Sequence, residues 1–458
     1  MYEKLILPYH YVKAFRSASR HDYPASGMKV IGVTGTSGKT TTCFFIYEML
    51  KAAGFKVGLM TTVGWTKWND KEIKPQTAHA TTENPEILNK NLVTLREAGC
   101  EYLVLEVTSH ALNQHRIFGV PIDTAVFTNL SHEHLDYHKN MKNYRKAKEK
   151  LFKLAARNPF GKKLGIVNAD DSASRFFVND IPNILSYGID NGDFCPRQLK
   201  LSKKGADYFL KFHRNELDLP NDEKDKNARK LHIKTKIPAM VNVYNSLAAI
   251  AVGVAYDLSD KQIEQGIAKL ESVEGRMNRI CEGQKFEVVV DFAHTADEIE
   301  RILSDVRKVA KGRIISVFGS AGKRDETKRP EMGRVAAENS EVVILTEDDP
   351  RGEVRPISEQ IAEGAEKSGK IRAKNLDDNL AEFLKFPNKI SKLDTKKENL
   401  FLIDDRESAI KFAFSLAHSD DTILLLGKGH EKSISRSSGE EFWDEAKIAR
   451  KLLKKLNK

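Results

Sequence analysis

The sequence has no long hydrophobic run. Its apolar stretches fall far short of the roughly 20 residues that a membrane-spanning helix needs. The N-terminal stretch MYEKLILPYHYVKAFRSASRHDYP contains neither a continuous apolar core nor a cleavage site, so a signal peptide is not expected. The chain has only four cysteines, which are scattered and form no CxxC pair. We therefore expect free thiols, no disulfide framework, and a location in the cytoplasm.

A nucleic-acid-binding pattern is also missing. Lysine and arginine together number 74 against 64 acidic residues, a net charge of +10. The basic residues are spread along the whole chain, without a stripe interleaved with aromatic side chains, and this is typical of a solvated surface. There is no internal repeat and no long low-complexity tract. We expect no nucleic-acid partner.

What the sequence does contain is two series of alternating strands and helices. The first follows residues 1–28 and runs through the strand-like segments KVIGVTG, KVGLMTT, YLVLEVTSH, DTAVFTNLSHEH and LGIVNADD, with a helix from Thr40 to about Ala53. The second, from about Arg279, runs through FEVVVDFAH, RIISVFGSAGKRD, VVILTEDDPRGE, LFLIDDRE and TILLLGKGHE. Between them, about 196–236, shorter pieces predict a small antiparallel insertion. At 458 residues the chain exceeds one core, and the alternation predicts α/β domains with parallel sheets.

A phosphate-binding loop is predicted at VIGVTGTSGKTTT. The strict pattern G-x-x-x-x-G-K-[ST] fails, because Val33 stands where its first glycine belongs. Glycines before a helix N-terminus still allow backbone N–H groups to converge on phosphate oxygens. The predicted phosphate-binding residues are Gly35, Thr36, Ser37, Gly38, Lys39, Thr40 and Thr41. A glycine-rich turn entering a helix is the structural alternative.

Candidate metal-binding residues follow two later strands. Glu106 closes YLVLEV, and a histidine-rich segment with His134 follows DTAVF. Zinc suits histidine clusters, but a nucleotide brings Mg²⁺, which prefers oxygen ligands, so we expect at most one histidine to touch metal. The helix NYRKAKEKLF carries Lys148, and composition alone indicates a solvated basic face there.

From Val30 onward these and other strings resemble the Mur ligases. The matching strings include GVTGTSGKTTT, TTENPE, LEVTSHALNQHR, FTNLSHEHLDYH, NYRKAKEKLF, EGRMN, DFAHTADEIE, TEDDPRGE and GKGHE. SHALNQHR and DDPR resemble the third ligase of that series. The resemblance implies a central P-loop ATPase-type domain, 29–275, followed by a C-terminal Rossmann-like α/β domain, 276–458.

The resemblance also implies a reaction. An ATP-dependent amide ligase would phosphorylate the D-Glu carboxylate of UDP-MurNAc-L-Ala-D-Glu, and a diamino acid, meso-diaminopimelate or L-lysine, would displace the phosphate. Lys39, His134 and Lys148 are implied to be catalytic. Thr40, Glu106, His134 and Lys148, the last as a carbamate, would handle Mg²⁺, with two ions expected. Asn245, Arg276 and His294 would contact the nucleotide, although a packing role for His294 is an equal alternative.

Two further sets of residues are carried over from the resemblance. Thr81, Thr82, Thr108, Gln114 and Arg116 fall on acceptor-binding positions, and Ala80 stands where the family commonly has asparagine. The pocket for the incoming amino acid is assigned to Arg324, Asp348, Asp349, Pro350, Arg351, Gly427 and Glu431. Asp349 replaces the asparagine that is associated with diaminopimelate, so the choice between the two amino acids stays open.

The segment 1–28 stands where the family usually has a UDP-binding domain, and LILPYHYVKAFRSA predicts an amphipathic helix. We therefore keep two alternatives: the same ligation on a carrier other than UDP, as in folylpolyglutamate-synthase-like ligases, and a nucleotide-dependent switch that makes no amide. We expect small-molecule substrates and a monomer.

Overall fold

The computed structural model describes residues 2–76, 81–214, 217, 219, 228–374, 376–385, 387–390 and 393–456. The chain divides into two compact units, Met1–Glu271 and Ser272–Lys458. Within the described residues, no helix has both the length and the apolar character needed to cross a bilayer.

The first unit is built on a seven-stranded sheet in the order β3-β2-β4-β1-β5-β6-β7. All neighbouring strands in it are parallel except β3, which runs antiparallel to β2. Its strands are β1 (Lys29–Thr34), β2 (Val57–Met60), β3 (Trp65–Thr66), β4 (Tyr102–Glu106), β5 (Ile122–Phe127), β6 (Leu164–Asn168) and β7 (Asn183–Tyr187).

Helices cover this sheet because its strands are apolar on both faces. The helices are α1 (Tyr2–Arg20), α2 (Lys39–Ala52), α3 (Pro85–Glu97), α4 (Ser109–Asn113), α5 (Leu135–His138), α6 (Met141–Arg157), α7 (Ser174–Phe177), α8 (Met240–Ala255) and α9 (Asp260–Lys269), with a 3-10 turn at Val178–Asp180. Strands β4 and β5 are buried at every position, as expected for a parallel sheet between helical layers.

Helix α1 packs against α3 of the same unit. Ala14 and Ala18 are buried, and the hydroxyl of Ser17 donates to the carbonyl of Pro85 at 3.0 Å. Asn89 Nδ2 donates back to Ser17 Oγ at 3.1 Å. The N-terminal segment therefore forms a helix that is fixed to the first unit by buried polar contacts.

The region between the two alternating series contains a separate antiparallel sheet in the order β10-β9-β8. Its strands are β8 (Arg197–Ser202), β9 (Gly205–His213) and β10 (Ala228–Lys234). The buried Tyr208 of β9 bonds to Ser246 of α8 at 2.7 Å, which ties this sheet to the rest of the unit.

The second unit contains a six-stranded sheet in the order β11-β12-β16-β13-β14-β15, in which only β11 is antiparallel to its neighbour. The strands are β11 (Asn278–Ile280), β12 (Glu287–Asp291), β13 (Ile314–Phe318), β14 (Val342–Leu345), β15 (Leu400–Leu402), β16 (Thr422–Leu426), and the hairpin β17 (Ser433–Arg436) and β18 (Gly439–Phe442). The helices are α10 (Ala296–Arg307), α11 (Arg329–Asn339), α12 (Arg355–Lys367), α13 (Leu376–Lys385), α14 (Pro387–Ile390), α15 (Arg406–Leu416) and α16 (Glu445–Leu456).

The predicted fold class is confirmed: two parallel α/β sheets follow one another along the chain. Each of the ten apolar segments that the sequence marked as strands contains an observed strand. Helix α2 begins at Lys39, one residue before the predicted Thr40, because the left-handed Gly38 is its N-cap.

Candidate active site

The predicted phosphate-binding loop, called the phosphate loop below, connects the central strand β1 to α2. Gly35 has φ 150° and Gly38 has φ 80°, a region that favours glycine. A Cβ on Gly35 would lie 1.9 Å from Thr128 Oγ1, and one on Gly38 would lie 2.5 Å from Asn245 Oδ1. Both glycines are therefore required by conformation and by space.

The loop is held by the segment that follows β5. Asn129 accepts from the Ser37 N–H at 2.9 Å and donates from Nδ2 to the Ser37 carbonyl at 3.0 Å. Thr128 Oγ1 donates to the same carbonyl at 2.7 Å. Since β1 and β5 are parallel neighbours, their carboxyl ends meet at one edge, and ligands of open α/β sheets bind at this edge.

Two lysines reach the same loop from different helices. Lys39 Nζ donates to the Thr36 carbonyl at 2.5 Å, and Lys148 Nζ donates to the Gly35 carbonyl at 2.5 Å. Lys148 is only 1% exposed. Burial, reinforced by the charge of Lys39, holds the pKa of Lys148 well below its usual value, although Glu133 and Glu106 oppose the shift. The solvated-face alternative for Lys148 is therefore wrong.

Thr40 and Glu106 form a buried oxygen pair beside these lysines. Thr40 Oγ1 donates to Glu106 Oε2 at 2.9 Å, and that oxygen also accepts from the Thr62 N–H at 2.9 Å. Both side chains are almost fully buried. Glu106 ends β4, which pairs with β1, so sheet order alone brings this carboxylate to the loop.

The histidines of the segment after β5 gather with aromatic rings. His134 has φ 56° and is 40% exposed at its side chain. Its ring lies 4.8 Å from that of His110 and 6.1 Å from that of Tyr144. Burial, then the charges of His134 and His138, lower the pKa of His110 to about 3. His138 is buried and its Nε2 lies 2.9 Å from Ser109 Oγ.

These contacts do not resemble a zinc site. Among the described residues, no group of three or more histidine, cysteine, aspartate or glutamate side chains is arranged to hold a metal ion. All four cysteines are unpaired. Oxygen donors around the phosphate loop suit Mg²⁺ better.

Four of the five predicted acceptor residues form one hydrogen-bonded network. Thr82 Oγ1 donates to the Glu106 carbonyl at 3.0 Å and accepts from the Thr108 N–H at 3.2 Å. Arg116 donates to the Thr82 carbonyl at 2.7 Å and to Gln114 Oε1 at 2.8 Å. The network is thus continuous with the Thr40–Glu106 pair. Thr81 adjoins it in sequence and is partly exposed, whereas Ala80 lies outside the described residues.

Asn245 lies behind the phosphate loop. It is buried on α8, its Oδ1 accepts from Thr42 Oγ1 at 3.2 Å, and its Nδ2 donates to Asn242 Oδ1 at 3.0 Å. Thr41 is also buried, on α2. These contacts give Asn245 a supporting position under Gly38.

In the second unit, Arg276 and His294 flank one phenylalanine. The Arg276 guanidinium carbon lies 4.6 Å from the centroid of the Phe292 ring, and the His294 ring lies 4.8 Å from it. His294 Nδ1 also lies 3.2 Å from a Glu298 carboxylate oxygen. The string DFAH, which contains Phe292, gave no indication of a role for this phenylalanine. Its ring contacts Arg276 and His294 only in the folded chain.

The predicted amino-acid pocket surrounds a lysine that the sequence analysis missed. Lys428 is completely buried at its side chain, 2.6 Å from Glu431 Oε2 and 2.9 Å from Asp349 Oδ1. Asp348 lies 3.9 Å away. Burial acts to lower the pKa of Lys428, but the three carboxylates outweigh it and raise that pKa. Burial raises the pKa of Glu431.

The other predicted residues of this pocket lie on adjoining loops. Gly427 has φ 103°, and a Cβ there would lie 3.3 Å from the Asp348 carboxyl. Arg351 donates to the Gly322 carbonyl at 3.1 Å and lies 3.5 Å from Asp349 Oδ2, and Pro350 beside it is buried. Arg324 is exposed on the loop between β13 and α11. The structure therefore places Asp348, Asp349 and Glu431 around Lys428, with Arg351 near Asp349, whereas Arg324 is exposed.

Comparisons with known proteins agree with this arrangement. Residues 33–253 match the Mur ligase middle domain and residues 275–429 match the Mur ligase, glutamate ligase domain. A UDP-N-acetylmuramyl-tripeptide synthetase of Roseiflexus sp. is 36% identical over 96% of this chain and 81% of the relative. The UDP-N-acetylmuramoyl-L-alanyl-D-glutamate–2,6-diaminopimelate ligase 1 of Clostridium acetobutylicum is 33% identical over 97% and 82%.

Solved structures give the same picture. A UDP-N-acetylmuramoyl-L-alanyl-D-glutamate–2,6-diaminopimelate ligase aligns with a TM-score of 0.59 at 26% identity, covering 95% of this chain and 80% of that one. A Mycobacterium tuberculosis folylpolyglutamate synthase aligns with a TM-score of 0.69 at 13% identity, covering 91% and 92%, a likeness of fold alone. On these matches the chain belongs to the Mur ligases, a family of ATP-dependent amide ligases of peptidoglycan precursor synthesis.

Proposed function

We propose that this enzyme adds meso-diaminopimelate to the D-Glu carboxylate of UDP-MurNAc-L-Ala-D-Glu at the expense of ATP. The observation that carries the proposal is the convergence of Lys39, Lys148, Thr40 and Glu106 on one phosphate loop. The relatives named for this reaction supply the substrates.

The first step joins two anions, so the chemistry needs positive charge. An acceptor carboxylate oxygen attacks the γ-phosphorus of ATP, and the bond from that phosphorus to the bridging oxygen of the β-phosphate breaks. ADP departs, and the acceptor carboxylate becomes an acyl phosphate. The loop N–H groups and Lys39 hold the phosphates and stabilise the charge that develops in transfer.

The residues at the loop fit Mg²⁺. Thr40 Oγ1 donates to Glu106 Oε2, which also accepts from the Thr62 N–H, and Mg²⁺ takes such oxygen ligands readily. We assign them to the metal together with His134 and carbamylated Lys148, around two ions. Bound there, the metal would offset the repulsion between triphosphate and carboxylate.

The carbamate is supported by the state of Lys148. A depressed pKa leaves more of the amine neutral, and only a neutral amine has the lone pair that attacks CO₂. The nitrogen of the neutral amine forms a bond to the carbon of CO₂ and loses one proton, which gives an anion with two oxygens. Counted from the ammonium form, two protons are released. This change reverses the sign of a charge that otherwise lies beside Lys39.

In the same proposal, Thr81 and the network of Thr82, Thr108, Gln114 and Arg116 hold the acceptor. Asn245, Arg276 and His294 support or contact the nucleotide. The second unit holds the diamino acid, with Arg324 for its α-carboxylate, Asp348, Asp349 and Glu431 for ammonium groups, and Arg351 for a second carboxylate. The amine nitrogen attacks the acyl carbon, phosphate leaves, and the nitrogen loses a proton to give the amide.

The experiment is a phosphate-release assay with purified protein, ATP and Mg²⁺. We expect release only when both the UDP-linked dipeptide and meso-diaminopimelate are present, and formation of the tripeptide by mass spectrometry. Release with neither substrate would favour the switch. Activity with lysine but not with meso-diaminopimelate would identify lysine as the amino acid. No phosphate release with any UDP-linked acceptor would favour a carrier other than UDP.

We further propose that the enzyme acts in the cytoplasm as a monomer. Four unpaired cysteines suit a reducing compartment. We expect light scattering to give a mass in solution close to the 51.6 kDa of one chain.

A further inference from the structure

A cavity of about 500 Å³ lies beside the acceptor network of the first unit. Helices α1, α5 and α6 and the end of α4 contribute to its wall, and His10, Gln114, Lys146 and Lys150 line it. Its volume falls within the roughly 300–1,000 Å³ of small-molecule sites. None of the residues assigned to the phosphates of ATP lines it.

The cavity wall is cationic. Lys146 and Lys150 are one turn apart on α6, where like charges repel each other. Lys146 makes no hydrogen bond or ion pair with the described residues, and Lys150 donates only to the neutral Asn113 Oδ1, at 2.9 Å. No described side chain lining the cavity is a carboxylate. An anion between the two lysines would remove their repulsion.

Neighbouring groups add to the positive field. Burial, then Arg116 and Lys13, lower the pKa of His10, and burial, then Lys150 and His10, lower the pKa of His115. Burial disfavours charge of either sign at these two histidines, but the positive charges of Arg116, Lys13 and Lys150 that contribute to the shifts would attract an anion.

Helix α6 presents lysines on two different faces. Lys148 points to the Gly35 carbonyl and is buried, whereas Lys146 and Lys150 line the cavity. The cavity reaches the acceptor network through Gln114, which both lines it and accepts from Arg116. A molecule held by that network can thus extend into the cavity.

We propose that this cavity binds the diphosphate of a nucleotide-linked acceptor, with Lys146 and Lys150 as its phosphate-binding residues and α1 as part of its wall. The inference rests on the proposed function, and it assigns recognition of the carrier to the first unit and its N-terminal helix.

The test compares Lys146→Gln/Lys150→Gln with the charge-preserving Lys146→Arg/Lys150→Arg. Lys142→Gln is the matched control, because Lys142 is an exposed lysine of α6 that does not line the cavity. Two acceptors are used, UDP-MurNAc-L-Ala-D-Glu and MurNAc-L-Ala-D-Glu without the nucleotide.

We expect the Gln pair to raise KM for the UDP-linked acceptor by about 10- to 100-fold, as loss of charge-assisted hydrogen bonds implies. The KM for ATP, the KM for the nucleotide-free acceptor and kcat should change less than about twofold. The Arg pair and Lys142→Gln should resemble the wild type. Equal KM changes for both acceptors, or none for either, would overturn the proposal.

A binding experiment separates this inference from the reaction itself. UDP is titrated calorimetrically into the wild type and the Gln pair, with the phosphate loop saturated by a non-hydrolysable ATP analogue and Mg²⁺. Binding to the wild type that weakens at least tenfold in the Gln pair supports the cavity even if no ligation is seen. No UDP binding, or binding of a short prenyl diphosphate but not UDP, would overturn the nucleotide assignment.

Discussion

At the scale of single residues, burial decides what a lysine does. Lys146 and Lys148 are two positions apart on α6, yet one is exposed and the other is 1% exposed. The buried amine of Lys148 loses much of its preference for the charged form.

Replacing Lys148 by Ala should reduce phosphate release by at least about 1,000-fold, because the loop loses a proposed metal ligand. A small carboxylate or excess Mg²⁺ should restore part of the activity. Carbon-13 NMR with labelled bicarbonate should show a carbamate signal in the wild type that the variant lacks. Lys153→Ala, an exposed lysine of the same helix, is the control, and an unimpaired Lys148→Ala would remove the residue from the mechanism.

The depressed pKa of Lys148 also predicts how stability depends on pH. Between the folded pKa and the unfolded value of about 10.4, the unfolded chain binds more protons at this amine, so stability rises with pH by up to about 1.4 kcal/mol per unit. Lys148→Met should lack this contribution. Urea unfolding at about pH 7, 8 and 9 in CO₂-free buffer measures how the free energy of unfolding changes with pH in the wild type and in Lys148→Met. The same pH dependence in both proteins would contradict the prediction.

Lys428 offers a second buried cation, this time paired. Lys428→Met should destabilise the enzyme by about 2–4 kcal/mol, because it leaves the partly buried carboxylates of Asp349 and Glu431 without their counter-charge. Chemical denaturation measures this loss. Lys432→Met is the matched control, since Lys432 is 41% exposed and an exposed pair is worth about 0–1 kcal/mol. Similar losses in both variants would argue against this explanation.

At the scale of elements, neighbouring strands explain the site. Strands β4, β1 and β5 lie side by side, and their carboxyl ends deliver Glu106, the phosphate loop and Asn129 to one place. In the second unit, β16 and β14 deliver Lys428 and Asp349 in the same way, with β13 between them.

The N-terminal helix gives a prediction at this scale. Ser17→Ala should cost about 1–2 kcal/mol, because the Pro85 carbonyl and Asn89 amide each lose a buried partner. Ser19→Ala, on the exposed side of α1, should change stability by less than about 0.5 kcal/mol. Urea denaturation compares the two, and a neutral Ser17→Ala would show that α1 is not fixed by these bonds.

At the scale of the whole molecule, the net charge of +10 acts on anionic substrates. Long-range attraction should increase the rate at which ATP and the acceptor are captured. We expect kcat/KM for both to fall several-fold as KCl rises from about 20 to about 200 mM, because the screening length shortens. The value of kcat at saturating substrate should change little, and kcat/KM that is flat or rises with salt would contradict this.

The sequence by itself determined the fold class, both strand series and the glycine-rich turn that precedes α2. Apolar periodicity, glycine conformation and the GKT string act over short stretches of chain, so they can be read without coordinates. The family strings located Glu106, Lys148 and Asp349 in the same way, by local pattern.

Only the tertiary structure decided which of these residues meet. The burial of Lys148, the position of Asn245 beneath Gly38 and the enclosure of Lys428 by three carboxylates all join segments far apart in sequence. The cationic cavity likewise needs α1 to pack near α6. Such contacts depend on sheet order and helix packing, which no local pattern encodes, and burial in turn sets the charge on which the chemistry depends.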